Sequence, residues 1–427
     1  MPAKFGLCVL LSLLTAVVHG QVPAGGTAAY AEQGHVVSIQ DLLNELLQNN
    51  PDIRAAEYRH DAATKRPSQA STLPEPTLSL TNFGVGHPFS RLRDNDFAYQ
   101  GLGFSQEVPY PGKLALAREE ASREAESERE MYGAVVLDKT AQLKVAYFEW
   151  FQLTKAIEIN GKNRDLLERF EKIARARYSV GRGIQQDVLK AQVEQSGLAQ
   201  QLEIIEQKKA TAEARIRSLL NFERPLGRPA EVILSPLSAG LEEFLASIDG
   251  QAPLLRAQQA MLDSRAVGIE RSKKEYRPDF AFSFQWQKTG GRFPDYYMAT
   301  AEVKLPVYFW RKQRLAVEEA AARFQEARQS YASARQELVF MIKDLYLTAS
   351  TSERLLALYQ SGIIPQASLS LESAVAGYEV GSVDFLTLMS NFMSLLTYEM
   401  QYYEELAKHE QALARLEALV ARPLTQR

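Results

Sequence analysis

Two hydrophobic periods divide this chain. Around residue 280 the side chains alternate, with Phe280, Phe282, Phe284 and Trp286 separated by Ala281, Ser283, Gln285 and Gln287. A period of two puts the aromatic set on one face of a strand and the small or polar set on the other. The next run repeats the pattern, with Tyr297, Ala299, Ala301, Val303 and Leu305 set against Met298, Thr300, Glu302 and Lys304. Earlier, Leu78 and Leu80 alternate with Thr77, Ser79 and Thr81, whereas 97–107 is mixed. Elsewhere the spacing is helical. Leu143, Ala146, Trp150, Leu153 and Ile157 follow a three-and-four rhythm, as do Leu198, Leu202, Ile205, Ala212, Ile216 and Leu219. That rhythm is a coiled-coil seam. No proline falls between Lys113 and Tyr178, and only Pro365 falls between Lys312 and Tyr378. At 1.5 Å per residue each stretch predicts a helical run of roughly 100 Å, with kinks expected at Gly161, Gly362 and Pro365.

The pattern is written twice. At an offset of 202, Ile39, Asp41, Leu42 and Leu43 meet Leu241, Glu243, Phe244 and Leu245, while Pro51, Arg54 and Ala55 meet Pro253, Arg256 and Ala257. At 199, Ala117-Arg118-Glu119-Glu120-Ala121 meets Ala316-Val317-Glu318-Glu319-Ala320, and at 200 Tyr178-Ser179-Val180-Gly181 meets Tyr378-Glu379-Val380-Gly381. Matches in one order along the whole chain predict an internal duplication. The repeats are read as 21–230 and 231–427. Each opens on a helix, the first with Ser38 as N-cap and Asp41 three residues on. Two strands follow, at about 76–83 and 97–107 and again at about 279–287 and 297–305. A long helical hairpin closes each repeat, with tips near 178–187 and 378–384.

The strand count constrains the architecture. Half-buried strands of a soluble sheet share the period of two. Strands of about this length also cross a bilayer when tilted, but four cannot close a barrel and lipid does not tolerate open edges. Membrane strands would have to be pooled by several chains. Phe280, Phe282, Phe284 and Trp286 would then face lipid, and Glu302 and Lys304 a watery lumen. Pro109, Pro111 and Pro306 mark the strand-to-helix junctions, where a missing N–H suits both a strand end and a first helical turn.

Composition narrows the class. Lys4 followed by the apolar run Leu7–Val18 and by Val18-His19-Gly20 reads as a signal peptide over residues 1–20. Cys8, the only cysteine, lies within it, preceded by Phe5-Gly6-Leu7 rather than a lipidation box. The expected mature chain thus has no thiol for a disulfide or metal site and is not lipidated. No later run reaches the 18 apolar residues of a membrane helix. The formal net charge is −3 with no basic block, which argues against nucleic acid as a partner.

Strand pairs, long hairpins and a twofold repeat together resemble the TolC family of outer-membrane efflux proteins over nearly the whole mature chain. The most specific segments are Gln106-Glu107-Val108-Pro109-Tyr110-Pro111-Gly112-Lys113, Leu305-Pro306-Val307-Tyr308, and Tyr178-Ser179-Val180-Gly181-Arg182-Gly183 followed by Asp187-Val188-Leu189-Lys190-Ala191-Gln192. The Pro-Tyr-Pro-Gly-Lys run and the Gly-Arg-Gly turn are most similar to the heavy-metal branch (cobalt-zinc-cadmium and copper-silver). The resemblance implies a mainly α chain with a membrane β-barrel portion. It implies a homotrimer whose protomers each give four strands to a shared twelve-stranded barrel in the outer-membrane lipid and long coiled hairpins to a periplasmic tunnel. A periplasmic membrane-fusion adaptor would dock at the tips and an inner-membrane proton-driven pump of the RND type would supply energy. The family tip motif is Val-Gly-Leu. Val180-Gly181 and Val380-Gly381 keep its first two positions, and Arg182 and Ser382 replace the leucine, so the adaptor contact carries over to the Val-Gly pairs. Heavy-metal cations are the expected cargo, with drugs or other small molecules the alternative. A periplasmic adaptor or structural coiled coil is a further alternative.

Other candidate residues divide between structural and functional roles. Gly181 and Gly381 suit turns whatever the function. Asp187 and Asp384 follow the turns, where a carboxylate favours a helix N-terminus; repeated by symmetry they would form a cation-favouring gate. Met389, Met393, Leu396, Met400 and Tyr403 form a stripe that reads as packing more readily than as a soft-metal ladder. His35, His60, His87 and His409 are scattered without metal-ligand spacing, and no nucleophile elbow, phosphate loop or His-Glu-x-x-His occurs. Neither an enzyme activity nor a cofactor is expected.

Overall fold

The computed structural model describes residues 36–84, 98–290 and 293–425; the expected signal peptide, His35, His87 and residue 97 lie outside them. The chain is mostly helical. Strand β1 (Val36–Val37) precedes α1 (Ile39–Asn49), α2 (Pro51–Ala70), β2 (Thr77–Phe83), β3 (Tyr99–Val108), α3 (Lys113–Ser179) and α4 (Gln185–Leu220). Then come β4 (Arg228–Pro229), α5 (Leu241–Gln251), α6 (Pro253–Lys274), β5 (Asp279–Thr289), β6 (Tyr296–Lys304), α7 (Gln313–Leu358), α8 (Ile364–Val380) and α9 (Phe385–Val420). Two short helices, two strands and a long hairpin thus occur twice in the same order.

The single opening helix expected in each repeat is two. Proline forces the residue before it out of the helical region, and Asn50 and Ala252 are both extended ahead of Pro51 and Pro253. Asn50 turns the break into a cap. Its side-chain oxygen accepts the N–H groups of Asp52 (2.9 Å) and Ile53 (3.0 Å), and its amide donates to the Leu219 carbonyl (2.7 Å). Ser38 caps α1 through the Asp41 N–H at 3.2 Å.

Gly161 does not interrupt its helix, because α3 runs unbroken for 67 residues. Nothing within 4 Å would crowd a Cβ at that position, so glycine is not required there by packing. The other expected break is local: a π-helical turn, Tyr359–Ile363, contains Gly362 and precedes Pro365. Proline has no N–H for the carbonyl four residues back, and a wider turn just before it absorbs the missing bond.

Core packing follows the helical stripes. Leu143, Trp150 and Leu153 of α3 meet Ile216 and Leu220 of α4 and Leu42 and Leu46 of α1 in one buried cluster. Nearer the tips Leu167 and Phe170 of α3, Leu371 of α8, and Leu388, Phe392 and Leu396 of α9 form a second. The seam therefore joins the two hairpins into a shared core, with Phe170 and Phe392 edge to face at 5.7 Å. Met389 is buried in that cluster, with Met393, Met400 and Tyr403 packed around it. The connector between repeats is pinned to the bundle at Ser235. Its N–H and hydroxyl donate to the Glu410 carboxylate (2.6 and 2.9 Å), and its carbonyl faces Nε2 of the wholly buried His409 at 2.7 Å.

Strands β2, β3, β5 and β6 form one antiparallel sheet in the order β2-β3-β5-β6. Its helical end is tied down at the first junction. The Tyr110 N–H donates to Asp279 (2.8 Å), and the buried Lys113 ammonium reaches Asp279 (2.9 Å) and Glu275 (3.1 Å). Gly112, at φ 92°, occupies the left-handed position that turns the chain into α3. Losing one partner of a fully buried pair costs roughly 3–5 kcal/mol, but both carboxylates here reach water. Lys113→Met should therefore lower unfolding stability in detergent by about 2 kcal/mol. An unshifted denaturation midpoint would contradict this.

Candidate functional site

The sheet is the first part of the site. Residues directly opposite one another in antiparallel strands share a face, and the register pairs Leu102 with Trp286, Phe104 with Phe284, and Trp286 with Tyr297. Leu78 and Leu80 join the same face opposite Phe104 and Leu102. The mixed 97–107 segment is thereby resolved, because Gly101, Gly103 and Ser105 fall on the polar face. The burial is inverted relative to a soluble sheet. Leu80 is 83% exposed and Phe284 49%, while Ala281 on the polar face is 9% exposed. No protein element among the described residues covers the aromatic face, which includes all four residues Phe280, Phe282, Phe284 and Trp286.

Glu302 and Lys304 lie on the polar face. Glu302 shares a row with Ala281 and Glu107, and Lys304 stands opposite Asp279. The Lys304 ammonium pairs with the Glu107 carboxylate across β5. The outer edges of β2 and β6 have no strand partner among the described residues.

The hairpin tips are the second part. Gly181 and Gly381 take φ values of 77° and 84°, the left-handed region that ends a helix at little cost only for glycine. Around them Val180, Ile184, Val380 and Leu386 are exposed apolar side chains, with Val380 at 81%. Asp384 and Asp187 have different jobs. Asp384 is the N-cap of α9, accepting the Thr387 N–H at 2.7 Å, and this bond holds its carboxyl below the usual range. Asp187 lies in the first turn of α4 and accepts the Tyr378 hydroxyl at 3.4 Å. Burial pushes its carboxyl up, against the pull of the Tyr378 hydroxyl and the Arg177 charge.

Arg177 and Tyr378 join the two tips, and the sequence pattern singled out neither for this. The Arg177 guanidinium lies 4.6 Å from the centre of the Tyr378 ring and donates to the Tyr378 carbonyl. Tyr378 is 3% exposed, against 47% for its repeat-related Tyr178, and burial pushes its phenol up to about 12. A Cβ at Gly381 would sit 3.2 Å from the Arg177 side chain, a close approach that adds to the requirement for glycine. The available signal was slight: a cation in the last turn of α3, which favours the helix C-terminus. Its partner belongs to the other repeat.

The structure thus joins a sheet whose aromatic face and outer edges are uncovered among the described residues to two helical hairpins, the outgoing arm of the first running roughly 100 Å. The sequence matches the model of the outer membrane efflux protein family over residues 42–221 and 245–422, and the chain belongs to that family. It is 23% identical over 395 residues to the cobalt-zinc-cadmium resistance protein CzcC of Cupriavidus metallidurans, with 90% of each chain covered. Its fold superposes on CusC with a TM-score of 0.79 at 14% identity, covering 94% of this chain and 96% of that one. It superposes on the outer membrane protein VceC of Vibrio cholerae with a TM-score of 0.78 at 17% identity, covering 90% and 96%.

Arg177 carries a charged hydrogen bond and a ring contact at a water-exposed tip, together worth about 1–2 kcal/mol. In Arg177→Ala, amide hydrogen exchange across 378–388 should accelerate roughly tenfold, with α2 unchanged. Equal exchange in the two proteins would show that the tips are not joined through this side chain.

Proposed function

We propose that the chain is the outer-membrane exit duct of a tripartite efflux pump. Three copies close a twelve-stranded barrel, and their hairpins form a periplasmic tunnel. The observation that carries this reading is an aromatic face left uncovered among the described residues, on a sheet whose two outer edges have no strand partner among them. In lipid every edge N–H and C=O needs a bond, so β6 of one copy pairs with β2 of the next. The eleven residues of β5 span about 36 Å, or roughly 25 Å when tilted by 45°, matching a bilayer core. Phe280, Phe282, Phe284 and Trp286 then meet lipid, and Glu302 and Lys304 line the lumen. Exposed apolar side chains on α7, such as Phe340 and Leu347, and on α4, such as Val193 and Ile204, supply packing between copies. The two halves derive from a duplication at about residue 230. The chain is exported by the signal peptide at 1–20, is not lipidated, and performs no catalytic step.

At the tips, Val180, Gly181, Val380 and Gly381 present the surface for a periplasmic membrane-fusion adaptor, which links the channel to a proton-driven inner-membrane pump. Asp187 contributes to the closed arrangement through Tyr378, whereas Asp384 caps its own helix beside it. Heavy-metal cations are the cargo this reading favours, because the CzcC likeness spans nearly the full chain.

Three measurements test this reading. The mature protein should fractionate with the outer membrane, run as a trimer in mild detergent and form cation-preferring channels in planar bilayers. Recovery in the detergent-free periplasm would refute it. A deletion strain should lose tolerance to divalent cations; loss of drug tolerance alone would assign the cargo to organic molecules.

The tip contact predicts a pH effect of defined sign. Because burial raises the Asp187 pKa in the packed tip, its contribution to closure is full below the ordinary value of 3.8 and declines as pH rises through the raised value. Conductance should therefore rise from acid to neutral pH, and Asp187→Asn should remove the step while keeping the tip closed. A pH-independent wild-type conductance would contradict the closing role of Asp187. Tyr378→Phe should raise conductance at acid pH several-fold, and an unchanged value would remove Tyr378 from the closure.

A further inference from the structure

The two strand-to-helix junctions are built differently. At the first, Lys113 and the Tyr110 N–H turn inward onto Asp279. At the second, Leu305–Lys312, no such anchor forms among the described residues. Instead Leu305, Val307, Tyr308, Phe309 and Trp310 all stand exposed, with Tyr308 at 68% and Trp310 at 51%. Trp310 packs edge to face on Phe309 (5.0 Å) and Tyr308 (6.4 Å), so the rings form a cluster. Arg311 and Lys312 follow at once and are exposed. Neither has a carboxylate partner among the described residues.

The register locates this cluster. Val108, Phe280 and Val303 share one row at the helical end of the sheet, so Tyr110, Arg277 and Leu305 all leave the sheet at one level. Leu305 continues the alternation of Ala301 and Val303 on the apolar face. Arg277 and Lys274 lie 5.9 and 5.8 Å from the Tyr110 ring, adding cations at the same level. Tyrosine and tryptophan beside Arg and Lys, at the end of an apolar face, match the chemistry of a bilayer interface: rings at headgroup depth and cations on phosphate.

We propose that the Leu305–Lys312 junction is a binding site for anionic phospholipid headgroups in the leaflet next to the helical body. The aromatic cluster sits at the acyl boundary, and Arg311 and Lys312 hold the phosphate. The charge balance favours lipid over a neighbouring copy as the occupant. A copy pairing with β6 would bring up the Thr72–Pro76 segment that leads into β2, and its one charged residue, Glu75, does not match the cations present. The site rests on reading the sheet as a membrane barrel and fixes its depth in the bilayer.

The test uses the full-length protein in phosphatidylethanolamine–phosphatidylglycerol nanodiscs, in a Trp286→Phe background, with spin labels at acyl carbon 5 or 12. Trp310 emission, taken as the difference from a further Trp310→Phe variant, should be quenched more by the shallow label. Arg311→Gln with Lys312→Gln should weaken phosphatidylglycerol retention, read by native mass spectrometry, roughly ten- to thirtyfold at low salt. The tryptophan depth should stay unchanged in that variant. Trp310 shielded from both labels and from aqueous iodide would overturn the proposal in favour of a protein contact. Quenching by iodide alone would overturn it in favour of a water-exposed loop. Phosphatidylglycerol retention equal to wild type in the double variant would overturn the headgroup assignment. The channel reading is separable: it fails when the wild-type protein neither inserts nor conducts, whereas the headgroup site fails alone when an inserted, conducting protein shows any of these three outcomes.

Discussion

Everything in this chain is arranged around the backbone of a four-stranded sheet that cannot satisfy itself. Among the described residues each outer strand leaves a row of N–H and C=O groups open, and the face that bears its aromatic side chains has no covering layer. Water would tolerate the edges but not the aromatic face, and lipid the reverse. The proposed pairing of edge to edge among copies, with apolar side chains outward, meets both demands. In that arrangement the hairpins would extend the conduit away from the membrane on helices whose own backbone bonds are internal.

The halves share one plan and divide the work unequally. In the first half the junction reaches across to the second, with Lys113 on Asp279, and Tyr178 at the tip is half exposed. In the second the junction opens outward as an aromatic and cationic cluster, while Tyr378 is buried under Arg177. Two copies of one element order thus give one half that braces and one half whose junction and tip present the contacts argued above. A shared core, with Phe170 against Phe392, keeps the hairpins together along their length. The cross-repeat contacts near Gly381 therefore sit on a packed base.

The tip is balanced rather than clamped. Asp187 is partly buried against a tyrosine hydroxyl and near a guanidinium, so its charge is held at a cost and relieved by separation. Asp384 stabilises its own helix whether the tips are packed or apart, because its bond is to the main chain three residues on. Local capping and cross-repeat contact are separate functions, although the two carboxylates occupy similar places in the sequence.

Much of this was legible from the residues alone. Alternation at 280–286 identified the apolar face, the three-and-four rhythm and the absence of proline determined the long helices, and the repeated Tyr-x-Val-Gly marked the turns. These are local properties, since side-chain period, glycine freedom and proline geometry act within a few residues. The break at Pro51 was equally local and was missed because Asn50 reads as an ordinary polar residue until its amide meets Leu219. The face assignments in 97–107 required the register against β5. The Arg177–Tyr378 contact required two positions 201 residues apart to meet. Only the tertiary structure could decide these, because burial and pairing depend on which surfaces the rest of the chain leaves uncovered. Local residue patterns were enough for the strands, the long helices and the turns, because period and backbone freedom are properties of neighbouring residues. Which aromatic side chains are left uncovered among the described residues depends on how distant segments pair, and that only the fold supplies.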